Sequence, residues 1–110
     1  MEKNKITIIT VVKNSSNTIE KTIKSVLDQG YENLEYIIID GKSNDGTLSK
    51  IEKYKNNISL IISEKDSGIW DAMNKGIKLS KGDIIGFLNS GDVYFPSTLN
   101  LVNNYFGEGS

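Results

Sequence analysis

Apolar residues in this chain fall into short unbroken runs, separated by segments where they recur every three or four positions. Ile6 to Val12 is β-branched and predicts a buried strand. Leu34 to Ile39, Ile58 to Ile62 and Ile84 to Leu88 repeat that pattern. Between the first two runs, Ile19, Ile23, Val26 and Leu27 stand at helical spacing. Asn17 is the expected N-cap, with Glu20 three residues on as in a capping box, and Gly30 suits the C-terminal stop. A second helix is expected to open at Asp45-Gly46 and to turn Leu48, Ile51 and Tyr54 inward. A third carries Ile69, Ala72, Met73 and Ile77 and ends near Gly82. Pro96 is placed to start a last helix through Leu99, Val102 and Phe106. Strands apolar on both faces, alternating with helices, predict right-handed βαβ units. The expected fold is therefore α/β, with a Rossmann-like, mainly parallel sheet, flanking helices and one domain over residues 1–110.

Parallel strands deliver their C-terminal ends to one edge, where open α/β sheets bind ligands. Each apolar run here stops at a polar loop: Asp40-Gly41 after the second, Glu64 to Gly68 after the third, Asn89 to Asp92 after the fourth. Asp40, at the strand end, is expected to accept hydrogen bonds from a base or ribose. Asp45 fits a helix cap better than a ligand. Asp92 has an ordinary reading as a turn residue before Pro96, and a functional one as a metal ligand. Mg²⁺ commonly takes only one or two protein carboxylates and leaves the rest to phosphates and water. Gly68 lets backbone N–H groups approach an anion. Trp70, beside Ile69 and Met73, reads as packing in preference to base stacking. Two resemblances fail. Gly41-Lys42-Ser43 lacks the earlier glycine of a P-loop, and Asp40 to Gly46 has lysine at a calcium-ligand position. No G-x-G-x-x-G follows the first strand.

Composition narrows the chemistry by what is missing. With no Cys and no His in 110 residues, disulfides, thiolate nucleophiles, His-centred triads and Cys/His metal sites are excluded. Acid–base work falls to Asp, Glu, Lys or Tyr, and a metal would sit among oxygens, favouring Mg²⁺ or Mn²⁺. The formal net charge of −1, with lysines spread along the chain, gives no basic patch for nucleic acid. No apolar run approaches the ~20 residues of a membrane span. The N-terminus lacks a signal-peptide pattern, so a cytoplasmic location is expected.

Several segments also resemble a known family. Ile6 to Asn14 looks like a strand ending in a V-x-N signature, and Ile19 to Tyr31 resembles a T-I-x-S-V-L-x-Q-x-Y helix. Asp40 to Thr47 resembles a D-x-x-S-x-D-G-T loop. Ser63 to Ile77 is similar to S-E-x-D-x-G-I-Y-D-A-M-N-K-G-I, with Trp70 in the tyrosine place, and Leu88 to Asp92 takes a DXD-like position. In this order they resemble the N-terminal half of family 2 glycosyltransferases of the bacterial polysaccharide-building kind, which have the GT-A fold.

The resemblance implies a site for a nucleotide-diphosphate-sugar, a UDP-sugar being favoured. It implies that Thr10, Val12, Asn14 and Asp40 line the base and ribose. Asp66, Gly68, Asn74 and Lys75 would border the donor, and Asn89, Ser90 and Gly91 would lie near the ribose or sugar. Asp92 would hold Mg²⁺ or Mn²⁺ on the diphosphate. Many relatives have Asp where this chain has Asn89 and Gly91, so fewer charges serve the metal. The family inverts the anomeric carbon in one displacement, with an Asp or Glu as base. That base and the site for a glycan or lipid-linked acceptor are expected beyond Ser110. The chain is thus expected to be an N-terminal fragment that binds donor with little or no transfer. A bare sheet edge favours self-association. Two other readings of the same pattern are a nucleotidyltransferase, against which the Lys13-to-Asn17 loop counts because it lacks Gly and Arg, and a flavodoxin-like signalling domain that gathers Mg²⁺.

Overall fold

A computed structural model describes residues 4–94 and 98–109, with side chains to residue 104. Its strands are β1 (Ile6–Val12), β2 (Leu34–Asp40), β3 (Leu60–Ser63) and β4 (Ile84–Phe87). The helices are α1 (Ile19–Leu27), α2 (Thr47–Glu52), α3 (Ile69–Leu79) and α4 (Thr98–Gly109). All strand pairs are parallel, in the order β3-β2-β1-β4. The first two crossovers step one way from β1, and the third carries the chain back over β2 and β1 to β4. The winding direction therefore reverses between β1 and β4, and that gap is the switch point where such sheets hold ligands.

Strand parity sorts the core into two layers. Ile6, Ile8, Val12, Tyr36 and Ile38 pack with Ile19, Ile23 and Val26 of α1, Ile51 of α2 and Leu99 of α4. Ile9, Ile37 and Ile39 pack on the other face against Ala72 of α3. Each wholly buried isoleucine contributes about 1.5–3 kcal/mol. Within the first layer the Thr10 and Tyr36 hydroxyls satisfy each other at 2.9 Å, and burial pushes the Tyr36 phenol above its ordinary pKa.

The local details depart from the sequence pattern in instructive ways. Asn17 is not the cap of α1. The amides of Thr18 and Ile19 both donate to the Ser15 carbonyl, so the chain turns tightly and Thr18 takes the cap position. Glu20 instead accepts the Tyr54 hydroxyl at 3.1 Å, tying α1 to the segment after α2. Strand β3 begins at Leu60, because Ser59 pairs with Tyr36 through its side chain as well as its backbone. Helix α3 ends at Leu79, short of Gly82. It buries Ala72 and Gly76, while Ile69 and Ile77 remain about half exposed. A Cβ at Gly76 would fall 2.6 Å from Ile9 Cγ2, so small residues let this helix lie close on the sheet. Trp70 does not pack: it is 76% exposed on the first turn. The expected start at Pro96 lies outside the described residues, as does the Phe106 side chain.

Candidate functional site

The loops leaving β1 and β2 are bound to each other. Asn14 adopts a left-handed conformation, φ 50°, and donates its backbone N–H to Ser43 Oγ at 2.8 Å. Its side-chain carbonyl accepts the Asn44 N–H at 2.9 Å. Asp40 organises the same knot from beneath. Its carboxylate accepts the Ser43 N–H (3.1 Å), the Ser43 hydroxyl and the Ser63 hydroxyl (2.7 Å), and it is wholly buried. Asp45 is not the N-cap of α2: Gly46, with φ 93°, takes that position, and Asp45 makes an Asx-type turn one residue earlier. It takes the hydroxyl and N–H of Thr47 and the N–H of Ser16, and the Thr47 hydroxyl chiefly holds its pKa below the usual carboxylate value.

A crevice of about 290 Å³ opens at the sheet edge, lined by Val11, Val12, Lys13, Asp66, Gly68 and Ile69. Gly41 forms part of its support: a Cβ there would stand 2.9 Å from Asp66 Oδ2, so the Asp66 carboxylate lies close over this backbone and would shift to admit a side chain. Asp66 also accepts the Gly68 N–H at 3.1 Å, and Gly68 has φ 122°, a conformation that favours glycine. Lys75 is engaged on α3, 2.9 Å from Glu64 and 3.5 Å from Asp71. The hydrogen bond to Glu64 is the main reason its pKa is raised. Asn74 is exposed beside it.

Of the expected residues, the crevice thus brings together Val12, Asp66 and Gly68. Thr10 does not line it, because its hydroxyl is sequestered by Tyr36. Asp40 does not line it either, since its carboxylate is enclosed by serine donors. Val11, Lys13 and Ile69 are additional wall residues, and their position at the β1 exit and the α3 start was the available signal.

On the other side of β1, Leu88 still donates to Ile9 before the chain turns through Asn89, Ser90, Gly91 and Asp92. The Asp92 N–H closes the turn on the Asn89 carbonyl at 3.1 Å, and Gly91 supplies φ 99°. Asn89 and Asp92 are exposed, and among the described residues no donor approaches the Asp92 carboxylate. This turn follows β4 and the Asp40 knot follows β2, the two strands that flank β1 in the sheet. Among the described residues no three acidic side chains gather as a metal site. A single exposed carboxylate with hard oxygen donors nearby fits an Mg²⁺ or Mn²⁺ ion whose remaining ligands come from a diphosphate. A larger hollow, about 530 Å³, opens outward between α1 and Val93–Tyr94, away from the β1 crevice.

A doubly wound parallel sheet with a crevice at the β1 exit and an exposed acid turn after β4 defines an α/β domain of the kind that binds ligands at its strand ends. The Glycosyl transferase family 2 profile matches residues 7–110, and the chain belongs to that family. It is 38% identical over 90 residues to the putative teichuronic acid biosynthesis glycosyltransferase TuaG of Bacillus subtilis, covering 79% of this chain and 36% of TuaG. It is 33% identical over 97 residues to WfgD of Escherichia coli, a UDP-Glc:alpha-D-GlcNAc-diphosphoundecaprenol beta-1,3-glucosyltransferase, covering 87% of this chain and 38% of WfgD. The crystal structure of Staphylococcus aureus TarS 1–349 in complex with UDP-GlcNAc superposes with a TM-score of 0.88 at 26% identity, over 94% of this chain and 31% of that one. The fold is therefore GT-A, and the chain spans about a third of the length of the relatives it matches. The nucleotidyltransferase and signalling-domain readings give way to this assignment. Among the described residues no helix is long and apolar enough to cross a membrane.

Proposed function

We propose that residues 1–110 form the donor-binding part of an inverting sugar transferase that takes a UDP-sugar. The observation that carries this reading is the juxtaposition, across β1, of the Val11-to-Lys13 crevice with the exposed Asp92 turn. The UDP-sugar named for WfgD and the UDP-GlcNAc held by TarS support the nucleotide. The nucleoside lies along Val11, Val12 and Lys13, with Asp66 and Gly68 bordering it. Thr10, Asn14 and Asp40 serve the site indirectly: they fix the strand ends and loops that form its wall. Asn89, Ser90 and Gly91 shape the turn from which Asp92 meets an Mg²⁺ or Mn²⁺ ion, while Asn74 and Lys75 form the outer border on α3.

An Mg²⁺ or Mn²⁺ ion held by Asp92 would supply Lewis-acid stabilisation of the charge that develops on a departing diphosphate. Lys13 at the crevice wall adds a positive charge beside the nucleotide, and Val11 and Val12 give that wall an apolar surface. The base and the glycan or lipid-linked acceptor site belong to the remaining two thirds of the relatives' length. This chain accordingly binds donor and transfers little or no sugar, and its setting is the cytoplasm, at the inner membrane face in the longer protein. The open β4 edge pairs copies of it. Titration calorimetry of the chain with UDP, with and without Mn²⁺, tests the reading. UDP binding should tighten about tenfold or more with Mn²⁺, and Asp92→Ala should abolish that gain. Nucleotide binding that ignores both the metal and Asp92 would refute the assignment.

A further inference from the structure

Three hydroxyls on α1 hold the acid turn. Thr18, Thr22 and Ser25 stand four and then three residues apart, so they share one face of the helix. Thr22 is wholly buried, and its hydroxyl donates to the Asp92 carbonyl at 2.8 Å while accepting the Gly91 N–H at 2.9 Å. One turn earlier, Thr18 Oγ1 lies 3.2 Å from Ser90 Oγ. One turn later, Ser25 Oγ accepts the Tyr94 N–H at 3.2 Å and donates to the Thr22 carbonyl. Residues 90, 91, 92 and 94 are thereby fastened to a single helix face.

A threonine inside a helix usually turns its hydroxyl back onto a carbonyl of the preceding turn. Thr22 does not: both of its bonds leave the helix for the turn after β4. Apolar packing alone would be served as well by valine, which has the same shape and no hydroxyl to satisfy. The polar atom is thus accounted for only by the two backbone groups it bridges, one of them belonging to Asp92 itself.

We infer that Thr22 is a positioning residue for metal-assisted donor capture, with Thr18 and Ser25 as its flanking supports. Its hydroxyl fixes the peptide on either side of the Gly91–Asp92 bond, and so fixes where the Asp92 carboxylate projects. The inference rests on the proposed role of Asp92 as the metal ligand. It locates the control of that ligand on the neighbouring helix, in a residue that touches neither metal nor nucleotide.

The test compares the wild-type chain with Thr22→Val, Thr22→Ser and Asp92→Ala. UDP affinity is measured with and without Mn²⁺, and exchange of the Gly91 amide is followed by NMR. Thr22→Val should keep metal-free UDP binding, lose about tenfold in the Mn²⁺-dependent gain and speed Gly91 exchange. Thr22→Ser, which retains the hydroxyl, should restore both. If Thr22→Val speeds exchange yet leaves the Mn²⁺ gain intact, the hydroxyl is structural only and the inference is overturned. A wild-type chain whose UDP binding shows no Mn²⁺ gain overturns the role of Asp92, and the positioning role with it. Should Thr22→Val fail to fold, Ser25→Ala reports on the same helix face. Loss of its Mn²⁺ gain with metal-free binding retained supports the inference, and an unchanged gain opposes it.

Discussion

Asp40 and Asp92 look alike in sequence, each a lone carboxylate after an apolar run, yet their surroundings divide their work. The first is enclosed, with serine donors on both oxygens, and the second stands in water. Asp40→Ala strands the Ser43 amide and two hydroxyls, and should cost about 2–4 kcal/mol in urea unfolding. Asp92→Ala should change stability by no more than about 0.5 kcal/mol in the same assay. Equal losses from both would contradict the division. Proximity to a strand end was readable from the chain, and the structure places both acids at or after C-terminal strand ends, Asp40 closing β2 and Asp92 in the turn after β4. Enclosure was not, because Ser43 reaches Asp40 from the following loop and Ser63 from the neighbouring strand β3. Thr22 escaped notice for a related reason: one threonine in an amphipathic helix carries no mark of which loop will cross it.

At the scale of elements, the strands were readable because residues buried on both faces leave no polar alternation to misread. Helix α3 was misread on its packing face. Periodicity picked out Ala72, which is buried, but also the large residues Ile69, Met73 and Ile77, and it missed Gly76, the other residue through which the helix lies on the sheet. Closeness of approach depends on which residues are small, and hydrophobic pattern weighs size the other way. Gly76→Ala makes the point quantitative. Better helix propensity is worth up to about 1 kcal/mol, against about 1–3 kcal/mol for overpacking the immobile Ile9. A net loss of stability is expected in thermal unfolding. Adding Ile9→Ala should cost less in the Gly76→Ala background than in wild type, because the clash is then gone.

For the whole molecule, the uneven cover of the two sheet faces has a consequence for behaviour in solution. Helix α3 lies over β1 and β2, and on its side of β4 Ile85 and Phe87 are 39% and 37% exposed. Strand β4 is also an open edge with no charged residue in its span. Such edges recruit other strands unless charge or proline blocks them. Sedimentation velocity should therefore show concentration-dependent association, and Phe87→Lys should return the chain to monomer. A wild-type chain that stays monomeric at high concentration would exclude this edge as an interface.

The order β3-β2-β1-β4 also fixes when a binding crevice can exist during synthesis. Ile6 meets Leu34 early, but it meets Ile84 only after nearly the whole stretch has emerged. A nascent chain can therefore assemble three neighbouring strands while still lacking the opposite bank of its cleft. On the proposed reading, competence to hold a nucleotide arrives only when β4 docks beside β1, so pairing that strand and forming the candidate site are one event.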